Sequence, residues 1–133
     1  MPKHTKPENK SAIREVTNAE LAAARQTRIE RQNTVGLHKT AEWHHLERAH
    51  ILSQPVAGIH VRTHLAMLGY AVRQRDGHEI AGQVARLLVA GPGSGFRRYP
   101  LGNTGGTNVR AMAPMPIPAD LLALLAPPVG QTS

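Results

Sequence analysis

Six of the eight histidines in this chain fall between His38 and His64, and four residues of that stretch have the types and spacing of metal ligands. Glu47 and His50 lie three apart, and His60 and His64 lie four apart. Residues three or four apart share one face of an α-helix. The segment between the two pairs includes Ser53-Gln54-Pro55-Val56-Ala57-Gly58, which breaks a helix and is short enough to fold the two halves against each other. In such a hairpin His50 stands opposite His60 near the turn, and Glu47 stands opposite His64 one turn deeper. Three neutral imidazoles and one carboxylate would hold a divalent metal ion. Zinc suits that set best, while nickel, copper(II) and ferrous iron accept the same ligands and are told apart by geometry. The chain has no cysteine, which excludes thiolate zinc sites, iron–sulfur clusters and a disulfide framework.

Helix geometry sharpens the set. With Trp43 at the centre of the buried face, a rotation of about 100° per residue puts His50 about 20° to one side and Glu47 about 40° to the other. Glu47 is thereby aimed inward, where a carboxylate is costly unless a cation or a metal meets it. The competing reading pairs Glu47 with Arg62 or Arg86 and makes His50, His60 and His64 structural, hydrogen-bonded to backbone or water. His38, Glu42 and His45, at i, i+4 and i+7, form a weaker second candidate, and His45 or Arg48 could instead orient the main ligands from outside. His44 and His78 read as surface residues. Catalysis is disfavoured, because the chain lacks the His-Glu-x-x-His order of zinc proteases and any cysteine nucleophile. Gly93-Ser94-Gly95 has neither the spacing nor the preceding strand of a nucleophile elbow.

The elements that must position these residues are helices. A first helix is expected to start after Thr17 or Asn18, with Glu20 in its first turn, and to run to about Asn33, where Gly36 breaks it. A second spans about Lys39 to Leu52, with Trp43, Leu46, His50 and Ile51 along one side. A third, about Ile59 to Arg75, carries two adjacent stripes: Val61, Leu65, Leu68 and Val72, and His60, His64, Met67 and Ala71. After the turn at Asp76-Gly77-His78, a fourth covers Glu79 to Ala90 with Ile80, Val84, Leu87 and Leu88 facing inward. Glu42-Trp43 and Pro55 recur 37 residues later as Glu79-Ile80 and Pro92, a faint repeat that suggests two stacked helical hairpins. Gly91 to Gly95 and Gly102 to Gly106 are loops without the Gly-Lys-Ser/Thr of a phosphate cradle. The stretch from Gly102 to Pro118 is expected to pack back over the helices through Met112, Met115 and Ile117, ahead of a short last helix from Ala119 to Ala126.

Composition bounds the rest. At 133 residues the chain makes one domain, and with four aromatic residues its core must be aliphatic. The formal charge is +7, yet three of the four lysines stand in the first ten residues and no basic run interleaves with aromatics. A solvated basic surface is therefore preferred over a nucleic-acid partner. The polar N-terminus lacks the apolar stretch of a signal peptide, and no apolar run is long enough to span a bilayer. A cytoplasmic protein without membrane contact is the expectation.

Several strings have a more particular likeness. His45-Leu46-Glu47-Arg48-Ala49-His50-Ile51-Leu52-Ser53-Gln54, His60-Val61-Arg62-Thr63-His64-Leu65-Ala66-Met67-Leu68, Gly82-Gln83-Val84-Ala85-Arg86-Leu87, Gly102-Asn103-Thr104-Gly105 and Pro114-Met115-Pro116-Ile117-Pro118 resemble the bacterial family DUF3703 over about residues 38 to 125. The resemblance implies a self-standing small domain and, the family being of unknown function, no activity or ligand. The expectation is an all-α protein: a basic leader over 1–12 that is disordered, one helical domain over 13–126, and a flexible tail over 127–133. Within it, two tandem hairpins in a tetratricopeptide-like stack are closed by an irregular Pro/Gly-rich wrap and the last helix. The leading function is non-catalytic metal binding at Glu47, His50, His60 and His64, for sequestration, sensing or structure. A tetratricopeptide-like module for a protein partner, with structural histidines, ranks second, and a metal-dependent enzyme third.

Overall fold

The computed structural model of the chain describes residues 7–31, 39–90, 103–109 and 113–126, which hold five helices and no strand. They are α1 (Pro7–Arg31), α2 (Lys39–Ser53), α3 (Ala57–Gln74), α4 (Gly77–Ala90) and α5 (Ala119–Leu125). α1 packs along α2 and α3 along α4, and the two hairpins meet chiefly where α2 lies on α3. That is the tandem-hairpin stack expected of the sequence.

Two helices differ from expectation at their start or in their inward face. α1 begins at Pro7, well ahead of Thr17, so residues 7–12 are helical rather than part of a leader. The reason lies in the burial of Ile13 and Thr17, which continue toward Ala24 the stripe of a helix face. Ile13 packs on Val56 and Ile59 at the turn between the hairpins, so the early turns of α1 have something to cover. Proline at the first position is well tolerated, since the N–H it lacks would have had no partner there. In α4 the inward side chains are Glu79 and Gln83, while Val84 is 42% and Leu88 70% exposed. Val84 and Leu88, expected to face the core, thus yield that place to a polar pair, while Ile80 and Leu87 are half-buried.

α2 is the central helix. Leu46, Ala49, His50, Ile51, Leu52 and Ser53 are all buried, because α1, α3 and α5 pack around it. Trp43 is half-buried and packs with Leu21 and Ala66 against Ala24, Leu46, Met67 and Tyr70. Of the two stripes on α3, the one with His64, Met67 and Ala71 faces the core, and Leu65 and Val72 of the other are exposed. Leu52 and Met67 are fully buried, each contributing roughly 1.5–3 kcal/mol of transfer free energy.

The turns are locally encoded. α3 closes with Arg75 in the left-handed region, its N–H bonded to Ala71 and Val72 carbonyls. The Asp76 Oδ1 accepts from the Glu79 N–H at 3.0 Å and caps α4. At the other end of the molecule Leu121 of α5 is buried on Ile51 and Leu52, with Ile117 of the irregular segment beside it. Ile117 is thus an anchor of the wrap, as expected, whereas Met112 lies outside the described residues. No helix among the described residues is long and apolar enough to cross a membrane.

Candidate metal centre

Three histidines from the two hairpins converge beside the α2–α3 turn. One ring nitrogen from each of His50, His60 and His64 lies within 4.8 Å of the others, and the ring centroids are 4.5–4.8 Å apart. His50 stands in the last turn of α2, where Ser53 ends the helix and Pro55 reverses the chain. His60 and His64 follow in the first two turns of α3, on one face.

The hydrogen bonds around the rings decide where their protons are. His50 Nδ1 faces the backbone carbonyl of Asn103 at 2.6 Å. A carbonyl can only accept, so this nitrogen carries the hydrogen. His64 Nδ1 lies 2.7 Å from Gln83 Oε1. The Gln83 amide cannot be turned around, because its Nε2 donates to Glu79 Oε1 at 2.6 Å and to the Gly105 carbonyl at 2.8 Å. His64 therefore also donates through Nδ1. His60 Nδ1 is 3.0 Å from Ser53 Oγ, whose own proton is directed to the His50 carbonyl at 3.0 Å. In each ring the other nitrogen, Nε2, is left as the lone-pair donor.

The consequence is plainest at His50 and His64, whose Nε2 atoms are 3.3 Å apart. Two lone pairs at that distance repel unless a cation lies between them. A proton is disfavoured there. Burial, and the positive charge of each neighbouring histidine, drive His50 well below its ordinary pKa, and burial lowers His64 despite its bond to Gln83. His60 is pushed down to about 3, first by burial and then by His64. A tetrahedral zinc with Zn–N bonds of 2.0–2.1 Å places its nitrogens about 3.3–3.4 Å apart. The His50–His64 pair has that spacing. Each of the three rings is also oriented from behind by an oxygen acceptor on Nδ1, an arrangement that metal-binding histidines share.

These acceptors explain why α4 turns polar residues inward and why a glycine-rich segment closes the site. Gln83 holds His64, and Glu79 holds Gln83 and also accepts from the Thr107 N–H at 3.0 Å and from its hydroxyl. Asn103 turns its side chain onto the Gly105 N–H at 2.9 Å and the Ala113 carbonyl at 2.8 Å, which fixes the carbonyl that meets His50. Gly105 has φ +83, and a Cβ there would stand 2.5 Å from His50 Cδ2. Only glycine both adopts this backbone and lets it press on the ring. On α4, Gly82 leaves room for Thr107, whose Cγ2 would be 1.5 Å from an added Cβ. Arg86 ties the same segment down through the carbonyls of Gly106 and Val109.

The remaining sequence candidates go elsewhere. Glu47 is not within the group of three histidines. It accepts from Trp43 Nε1 at 3.0 Å and faces a cavity bounded by α2, α3 and α4. Three residues of helix rotate it about 60° away from His50, enough to miss the cluster. Neither Arg62 nor Arg86 pairs with it, since Arg62 donates to Asn18 and Arg86 to the loop carbonyls. Glu42 pairs with Arg73, and His45 meets Glu20 at 2.7 Å, so those members of the weaker candidate do not converge. His38 lies outside the described residues. Arg48 bridges Glu20 and Asp120 and orients no ligand. His44 and His78 are exposed, as expected.

Gln83, Asn103 and Gly105 were not singled out as site residues from sequence. The signal that could have found them is Gly82-Gln83 interrupting the apolar residues between Ile80 and Val84, together with the later Gly102-Asn103-Thr104-Gly105-Gly106 run. A model for a family described as "Protein of unknown function (DUF3703)" matches residues 11–125. No curated protein and no solved structure matches the chain.

Proposed function

The chain belongs to the DUF3703 family, whose function is unknown, and we propose that it binds a divalent metal ion through the Nε2 atoms of His50, His60 and His64. The observation that carries this reading is the meeting of two Nε2 lone pairs at 3.3 Å, with both Nδ1 atoms already committed to acceptors. Three neutral nitrogens favour zinc, and nickel, copper(II) and ferrous iron remain open to the same set. The role is non-catalytic: sequestration, sensing or a structural metal. Among the described residues the hydroxyl beside the cluster, Ser53 Oγ, is tied to the His50 carbonyl, and the Glu79 carboxylate is spent on Gln83 and Thr107, so neither is free to act as nucleophile or general base.

Metal analysis and calorimetry on protein purified without a histidine tag test this. One equivalent of zinc is expected. At a hundredfold excess of free zinc over its dissociation constant the folded state gains about 2.7 kcal/mol, a rise in Tm on the order of 10 °C. In His64→Ala and His60→Ala that rise disappears. Well under one equivalent, with the variants melting like wild type in zinc, would sink the reading. The alternative, a tetratricopeptide-like interaction module, draws support from the exposed Leu65, Val72, Val84 and Leu88 on α3 and α4, and it predicts no metal dependence at all.

A further inference from the structure

Beside the histidine cluster, and separate from it, lies a cavity of about 530 Å³, within the range of small-molecule sites. Trp43 and Tyr70 form its aromatic wall, with ring centroids 5.0 Å apart and planes inclined by 37°. Glu47, Asp76 and Glu79 contribute carboxylates to the lining. In a chain of net charge +7, carboxylates readily find cations, and Glu20, Glu42 and Asp120 all do. Glu47 and Glu79 take part in no ion pair among the described residues. Glu79 is held by Gln83 and Thr107, and Asp76 caps α4, which leaves Glu47 with one hydrogen bond, from Trp43. Burial pushes its carboxyl above the usual range, against the opposing bond from Trp43 and the neighbouring His44 and with a smaller push from Glu79, and a bound cation would relieve the burial penalty.

We propose that this cavity binds a small organic ammonium ion, its charge held between the Glu47 carboxylate and the aromatic wall of Trp43 and Tyr70. A bare metal ion fits less well. The carboxylates and the rim histidines His44 and His78 do not approach one another as the three buried histidines do. An anion would meet three carboxylates. Tyr70 already lies under one cation, the Arg73 guanidinium 6.0 Å from its ring centroid, and Arg73 is itself neutralised by Glu42. Attraction of an ammonium to an aromatic face adds to its attraction to a partly desolvated carboxylate.

Trp43 is the chain's one tryptophan, so its fluorescence reports on the cavity. Tetramethylammonium chloride is titrated into wild type, with sodium chloride and tert-butanol as charge and shape controls. A saturable change is expected with tetramethylammonium at concentrations where neither control gives one. The same titration on zinc-saturated protein should give the same midpoint, because the two sites are distinct. In Glu47→Gln, with folding verified by circular dichroism, the midpoint should rise about tenfold or more. An absent saturable response, an equal response to tert-butanol, or wild-type affinity in folded Glu47→Gln would overturn the proposal. Should that variant fail to fold, the comparison with tert-butanol on wild type decides.

Discussion

Each half of α2 offers a carboxylate and a histidine three residues apart, Glu42 with His45 and Glu47 with His50, and the two halves dispose of them in opposite ways. In the N-terminal half Glu42 meets Arg73 and His45 meets Glu20, so each group is answered by a side chain of opposite character on a neighbouring helix. In the C-terminal half His50 is answered by a carbonyl on one nitrogen and by another lone pair on the other. His45 is part-exposed and His50 is buried, but Glu42 is as buried as His50 and is still met by Arg73, so burial alone does not separate the two halves. The difference is in what each group meets. A buried group paired with an opposite charge is structure, whereas converging lone pairs with no donor between them are capacity for a cation.

The hardest blow to the C-terminal half should come from the segment behind it. Gly105→Ala puts a Cβ at 2.5 Å from His50 Cδ2 and strains a φ of +83. A loss of about 2–3 kcal/mol in stability is expected, with zinc affinity falling alongside. Gly58→Ala, at a position with open space around it, serves as the control and should be neutral or slightly stabilising in chemical denaturation. A Gly105→Ala protein as stable as wild type would mean that the segment does not clamp His50.

Next in size is Gln83→Ala, which leaves His64 Nδ1 without its acceptor and frees its tautomer. Zinc affinity is expected to fall about 10–100-fold, measured by competition with a chromophoric chelator. Acid should then divide the two halves by proton uptake. The three clustered histidines have folded pKa values below the ordinary 6.5, His60 at about 3, so the unfolded chain binds more protons as pH falls below about 6.5. Their contribution is complete above that pH and is lost on acidification, at up to about 1.4 kcal/mol per pH unit for each histidine. Urea midpoints of the metal-free protein should drop from pH 7 to 5, and less steeply in His60→Ala. Flat midpoints would contradict the buried, neutral histidines. The smallest effect belongs to the N-terminal half: His45→Ala breaks a part-exposed pair and should cost under about 1 kcal/mol, with zinc binding unchanged in calorimetry.

Much of this was legible in the sequence because it is local. The helical character, the break at Ser53 to Gly58, and the shared face of His60 and His64 depend on residues within two turns of each other. So does the placing of His50 at the end of α2. Glu47 shows the limit of such reasoning. A residue about 60° around the helix can lie on either side of a boundary between cluster and cavity, and Trp43, one turn earlier, draws it to the cavity side. On α4, apolar spacing pointed Val84 and Leu88 inward. What lies opposite α4 at Gln83 is an imidazole and a backbone carbonyl, so amide and carboxylate are worth more there than hydrocarbon.

By itself the sequence determined the chemistry on offer: a cysteine-free, helix-forming chain whose histidines are spaced for nitrogen coordination across a short turn. The tertiary structure alone decided which of them count. The proton on two of the three rings is set by an acceptor far along the chain, Asn103 for His50 at 53 residues and Gln83 for His64 at 19, while His60 meets Ser53 across the local turn. No local spacing encodes the first two meetings, because they arise from how the hairpins and the glycine-rich segment pack. A histidine becomes a metal ligand through its tautomer, and its tautomer is a property of the fold.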